Sequence, residues 1–148
     1  MGLVESKSQL IAVNKQWPSV SSIAAGSSIE TLSTPLIFVA DTPYQVVSVT
    51  ERHAVVGSTT VMLIGALGST PLGSGTPLLA STISTFSAVD VFQTGTLYGS
   101  AVLTGSSPLG TTATGPVLAQ GDALGVRYTT VGAMPPIGGG MTVMLMKI

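Results

Sequence analysis

The sequence predicts an all-β protein, a sandwich of about eight antiparallel strands preceded by an extended N-terminal arm. From Pro35 onward, short apolar or alternating runs are separated by glycine, proline, serine and threonine, which is typical of β-sandwiches and barrels. Helical periodicity is weak even in residues 3–13, where it is most visible. The chain has 148 residues, enough to fill one core without metals or cross-links, so we expect one compact domain.

Residues 1–35 are predicted to form the arm, and residues 36–148 the sandwich domain. The arm contains the only tryptophan, Trp17, and then a stretch rich in serine, alanine and threonine without a sustained period. Pro18 favours an extended conformation for the residue before it. We therefore expect an extended or partly ordered segment with one short strand.

The run 44–52 is the clearest strand in the domain. Alternation places Val47 and Val49 on one face with Glu51, and Val46 on the opposite face, so we expect a strand with a partly polar outer face. The same criteria predict the other strands. In chain order the predicted strands are 36–40, 44–52, 59–66, 77–83, 89–97, 100–103, 124–130 and 141–148.

Turn chemistry supports the breaks between these runs. Segments 68–75 and 105–110 combine prolines of fixed φ with glycines that tolerate positive φ, so both are predicted loops. Residues 120–122, Gln-Gly-Asp, form a predicted turn that leads into a strand. Prolines and glycines in 134–140 predict a loop before the last strand.

The last predicted strand, 141–148, is apolar on both faces. Met141, Val143 and Leu145 alternate with Met144 and Met146. Such a strand lies either at the centre of a sandwich or at an interface between subunits.

Charge is scarce throughout the chain. Charged residues make up 7% of it, against roughly a quarter in an average soluble domain. The net charge is -1, and the five basic residues are scattered, so we expect no nucleic-acid partner. All apolar runs are far shorter than the ~20 residues of a membrane-spanning helix, so we expect no membrane partner. A surface so poor in charge favours an assembly component.

The sequence shows no catalytic chemistry. Its only histidine, His53, has no Gly-x-Ser-x-Gly motif beside it and is interpreted as a strand-end or interface residue. The six acidic residues single out no glycosidase pair and no calcium loop, and there is no cysteine. Phosphate-binding glycine motifs are also absent. We expect no enzyme, and no catalytic, cofactor-binding or metal-binding residues.

Residues 45–148 resemble the small jelly-roll proteins that decorate or cement the heads of tailed bacteriophages or form their head fibres. The order of the motifs matches throughout, and the last strands are also similar to trimeric jelly rolls of the tumour-necrosis-factor kind. The chain departs from the pattern in its N-terminal arm and in an insertion at 105–115. The segments that carry the resemblance are 46–54, 61–63, 73–79, 91–97, 118–126 and 139–147.

The resemblance implies a virion structural protein, a homotrimer that binds the outer surface of the major capsid protein lattice and stabilises the head. It would be made in the host cytoplasm, lie on the capsid surface and need no cofactor. The arm would extend over a neighbouring subunit, with Trp17 as an anchor. The alternative is a head-fibre or tail-associated module that binds a host receptor or glycan through loops 72–76 and 106–115.

Overall fold

A computed structural model of the protein describes residues 9–17, 36–97, 116–130 and 136–148. These residues form ten strands and one short 3-10 helix, Leu72–Ser74, and contain no α-helix. The strands are β1 Leu10–Gln16, β2 Leu36–Val39, β3 Tyr44–Val55, β4 Thr59–Ala66, β5 Thr76–Pro77, β6 Ile83–Ser84, β7 Gln93–Gly95, β8 Val117–Leu118, β9 Ala123–Thr130 and β10 Ile137–Lys147.

The strands form two antiparallel sheets. Sheet A has the order β1-β10-β3, with both β7 and β8 on the far side of β3; sheet B has the order β2-β9-β4, with both β5 and β6 beside β4. Two short strands that share one neighbour occupy one position, so each sheet has four positions. Along the chain, β1 to β4 alternate between sheets A and B, β5 and β6 stay in sheet B, β7 and β8 lie in sheet A, β9 lies in sheet B and β10 in sheet A. This is the order of strands in a jelly roll. The predicted all-β sandwich is confirmed.

The core lies between the inner faces of the two sheets. Leu78 and Leu79, which follow β5, are fully buried in the same cluster, and Tyr44 packs edge-on against Phe38 with ring centroids 5.3 Å apart. The central strands contribute side chains with no exposed surface. They are Val46, Val49, Met141, Val143 and Leu145 from sheet A and Val61, Leu63, Leu124 and Val126 from sheet B.

A β-bulge in β3 overturns the predicted faces of this strand. Met144 pairs with Ser48 and Leu145 with Val46, which leaves Val47 as an extra residue. Val46 and Val49 therefore both face the core, while Val47 is exposed. Strict alternation had placed Val46 opposite Val49, and that assignment is wrong because the extra residue reverses the pattern.

Several predicted boundaries also change. The runs 77–83 and 89–97 are each mostly irregular, and only the short strands β5, β6 and β7 form there. The prediction that 134–140 is a loop is wrong for residues 137–140, because β10 already begins at Ile137. Gly139 has φ 79°, and a Cβ there would overlap the carbonyl oxygen of Arg52. Only glycine lets β10 pass this close to β3. The predicted strand 100–103 and loop 105–110 lie outside the described residues.

The predicted turn at 120–122 is confirmed. Gly121 has φ 90°, in the left-handed region, and its N–H donates to the Ala40 carbonyl at 2.7 Å. An Asp122 carboxylate oxygen accepts from the Ala119 N–H at 2.9 Å. The turn thus ties the start of β9 to the end of β2.

Part of the predicted arm belongs to the sandwich. β1 pairs with β10 along its whole length, from Leu10 opposite Met146 to Gln16 opposite Gly140. Trp17 follows it and is 3% exposed, buried in the core of its own chain. The role of Trp17 as an anchor on a neighbouring subunit is therefore wrong. The other arm residues, 1–8 and 18–35, lie outside the described ranges, and for them the division at residue 35 stays a prediction.

Two glycine substitutions separate backbone conformation from close packing. Gly121→Ala puts a side chain on a left-handed residue with open space around it, so we expect a loss of about 1–2 kcal/mol of unfolding free energy. Gly139→Ala adds an overlap with the Arg52 carbonyl and is expected to cost clearly more. Urea denaturation of both variants measures this difference, and equal losses would show that the close approach of β10 and β3 has no energetic weight.

Candidate functional site

A buried carboxylate lies at one end of the sandwich core. Glu51, on the inner face of β3, has no exposed surface. One carboxylate oxygen accepts from the Trp17 indole N–H at 2.9 Å, and the other from the Gln93 amide at 2.9 Å. His53 Nδ1 contacts both oxygens, at 2.9 and 3.2 Å. A buried carboxylate is tolerated when donors replace its water, and three side chains do so here.

His53 lies beside Glu51 on the same buried face. The structure therefore corrects its interpretation as a strand-end or interface residue, since the whole side chain is 0% exposed. Nδ1 donates to the carboxylate, and Nε2 is the one buried side-chain nitrogen or oxygen in the described residues without a hydrogen-bond partner. A Glu–His pair is the orienting part of a hydrolytic triad, but a hydroxyl in contact with Nε2 would complete it and none of the described residues provides one.

The cluster fixes the base of the loop between β6 and β7. The Gln93 amide also donates to the Ser84 carbonyl at 2.8 Å, so it joins the two ends of this loop directly while its bond to Glu51 ties them to β3. The Asp90 N–H donates to the His53 carbonyl at 2.8 Å, and the Gly57 N–H to the Thr85 carbonyl at 2.9 Å. The loop and the corner between β3 and β4 therefore form one bonded unit.

This unit exposes a group of large apolar side chains, which we call the apolar tip. Phe92 of the same loop is 67% exposed and lies beside Arg52, and the other five range from 41% to 54% exposed. Ala88 and Asp90 within the loop have φ 64° and 57°, a region that non-glycine residues rarely adopt and that persists where the surroundings enforce it. The loop is held in a shape that displays apolar residues. The apolar tip consists of Val55, Val56, Phe86, Val89 and Val91.

The outer face of sheet A divides into an apolar half and a polar half. Register places Leu10 beside Met146 and Ala12 beside Met144, and the bulged Val47 lies on the neighbouring strand. Leu10 and Val47 are exposed, and the methionines are half-buried. Further along the same strands the outward residues become polar. We call Leu10, Ala12, Val47, Met144 and Met146 the apolar half, and Asn14, Gln16, Thr50, Arg52 and Thr142 the polar half.

Of the two loops predicted to contact a receptor or glycan, the structure describes only 72–76. In 72–76, Arg127 Nη2 donates to the carbonyl of Gly73 at 2.7 Å and to that of Gly75 at 3.4 Å, and Gly75 lies against Ile64. This loop is therefore fixed on the outer face of sheet B. Loop 106–115 lies outside the described residues.

Comparisons with known proteins identify no relative. No protein-family model, no curated protein and no solved structure matches the chain. Within the described ranges, no helix is long and apolar enough to cross a membrane, and no three acidic or histidine side chains lie close enough to hold a metal ion.

Sequence reasoning missed both the buried cluster and the apolar tip. A signal for the cluster was present, since alternation along β3 places Val49, Glu51 and His53 on the same face. The burial of these two polar residues could not be predicted from the pattern alone, because the hydrogen-bond partners Trp17 and Gln93 come from distant parts of the chain. The tip was missed because 89–97 was predicted as one strand.

Glu51→Gln tests the cluster. The amide replaces an acceptor oxygen by an NH2 group, which then faces a donor, so we expect a loss of about 3 kcal/mol of unfolding free energy. Amide hydrogen exchange in residues 85–92 should also accelerate, because the loop loses its base.

Asp90→Asn is the matched control for that variant. It alters an exposed carboxylate whose Oδ1 lies 3.6 Å from Arg52 Nε, so its effect should stay within about 0.5 kcal/mol. Urea denaturation measures both variants, and similar stabilities for the two would contradict the role assigned to Glu51.

Proposed function

We propose that the chain is a virion structural protein that binds the outer surface of a lattice of major capsid protein and stabilises the head. The apolar tip carries this proposal. It presents five large apolar side chains on a loop whose backbone is held by hydrogen bonds to β3 and β4. A fixed apolar projection is better suited to a permanent contact with another protein than to exposure to water.

The charge content of the chain supports the same reading. Only 7% of the residues are charged, and among the described residues the charges next to the tip, Arg52 and Asp90, pair with each other. Burial of apolar surface contributes about 25 cal/mol per Å² removed from water. Many copies on a closed shell would add such contributions and resist outward pressure from packaged DNA. No reaction is required.

The apolar half supports association between copies of the chain, and the resemblance to capsid decoration proteins implies that the assembly is a homotrimer. Leu10 and Ala12 pair with the two methionines on one side, and on β3 the exposed Val47 lies between the uncharged polar residues Gln45 and Ser48, so the area is largely apolar and carries no charge. A chain of net charge -1 has little electrostatic repulsion to keep copies apart. We place the contact between subunits on this half of sheet A, which leaves the tip at the end of the sandwich for the lattice.

The double variant Val89→Ser/Val91→Ser tests attachment through the tip. It removes apolar surface that the contact buries, so binding to capsids lacking the protein should weaken by at least about tenfold. Cosedimentation with such capsids measures the affinity, and thermal rupture of the particles measures the stabilisation.

Val39→Ser is the control, because Val39 is 51% exposed and Val91 54%, yet Val39 lies on β2, outside the tip. It should bind as the unchanged protein does. Equal binding by the tip variant, or capsids that rupture at the same temperature with and without the protein, would refute the proposal.

Val47→Glu tests the trimer. The exposed bulge tolerates the substitution in the fold, but three glutamates in a shared apolar contact repel one another and lose water, so the trimer should dissociate. Native mass spectrometry measures the mass. Leu36→Glu, at an exposed position on sheet B, should leave the trimer intact. A stable monomer of the unchanged protein would contradict the assignment.

A further inference from the structure

A groove of about 300 Å³ crosses the polar half of sheet A. Gly140 lies opposite Gln16 on one side and Arg52 on the other, so the middle of this row carries no side chain. The neighbouring strands and Phe92 form the walls. Ligand pockets usually range over about 300–1,000 Å³, so the groove has room for one small molecule or one unit of a longer chain.

The groove offers hydrogen-bond donors and acceptors side by side. Asn14, Thr142 and Thr50 occupy one row across three strands. The Thr142 hydroxyl donates to Asn14 Oδ1 at 2.7 Å, which fixes the amide and leaves its NH2 group as a donor and the Thr142 oxygen as an acceptor. Neighbouring hydroxyls of a sugar, each a donor and an acceptor, match such a row.

One wall of the groove is aromatic. Phe92 is 67% exposed, the highest value among the large apolar residues that the structure describes. The Arg52 guanidinium carbon lies 4.9 Å from the centre of its ring, and Arg52 Nε lies 3.6 Å from Asp90 Oδ1. These contacts hold Arg52 along the wall, and the exposed part of the Phe92 ring remains available to an apolar ligand surface.

The charges around the groove nearly cancel. The charged residues that line the groove are Lys15, Glu51 and Arg52. Asp90 Oδ1 lies 3.6 Å from Arg52 Nε, and Lys15 has an interaction of its own. An anionic ligand would find little uncompensated positive charge here. A purely apolar ligand would cover the amides and hydroxyls without giving them partners, which costs free energy.

We propose that this groove binds a neutral hexose unit of a saccharide. The C–H face of the ring packs against Phe92, and the ring hydroxyls bond to Asn14, Thr142 and Thr50. Gln16 closes the groove on the β1 side. The inference does not depend on the capsid role, because the groove lies outside both the apolar tip and the apolar half of sheet A.

Titration with methyl glycosides of glucose, galactose and mannose tests the proposal on the full chain. At least one should shift the backbone NMR signals of groove residues, with a dissociation constant of about 1 mM. Phe92→Ala, which removes the aromatic wall, and Thr142→Val, which keeps the shape but removes the hydroxyl, should each weaken binding by roughly fivefold or more. Phe86→Ala is the control, since it removes an exposed ring outside the groove.

The spectra of all three variants also report whether each one folds, so a lost response is assigned to the groove only in a folded protein. Three results would overturn the proposal. They are no response to any of the three glycosides, a response that both groove variants leave unchanged, and a stronger response to inorganic phosphate than to the sugars.

Discussion

The carboxylate of Glu51 is the constraint on which one end of this sandwich depends. A carboxylate without water requires donors from all sides, and here they come from three separate parts of the chain, namely Trp17 after β1, His53 on β3 and Gln93 on β7. An apolar residue at position 51 would not require hydrogen-bond donors around it. Glu51 therefore specifies where β1 ends and how the β6–β7 loop packs against β3. The position of the apolar tip depends on these hydrogen bonds.

Much of the fold could be predicted because its signals are local. The strand 59–66 and the Gly121 turn depend on alternation and on the conformational freedom of glycine, both of which are read from a few neighbouring residues. The faces of β3 could not be predicted, since the bulge at Val47 is defined by its partner β10. The glycines of β10 predict a loop when only neighbouring residues are considered. In the structure they allow β10 to approach its neighbouring strands closely, which is a property of the tertiary structure.

The candidate surfaces were predictable in kind but not in place. Composition favours the proposal of a surface that other molecules cover, because charged residues make up only 7% of the chain. Which apolar residues lie outside depends on the bulge, on the left-handed residues of the loop and on the register between β1 and β10. The same register brings Asn14 beside Thr142, residues 128 positions apart, and no sequence pattern links them.

That distance along the chain has a consequence for synthesis. β10 lies between β1 and β3, so the centre of sheet A is filled only when residues 137–147 have left the ribosome. Until then β1 and β3 have no common neighbour, and sheet B can pair its own central strands first, because β9 precedes β10. Non-local pairings of this kind are associated with slow folding, and sheet A is complete only when β10 pairs with both of its neighbours.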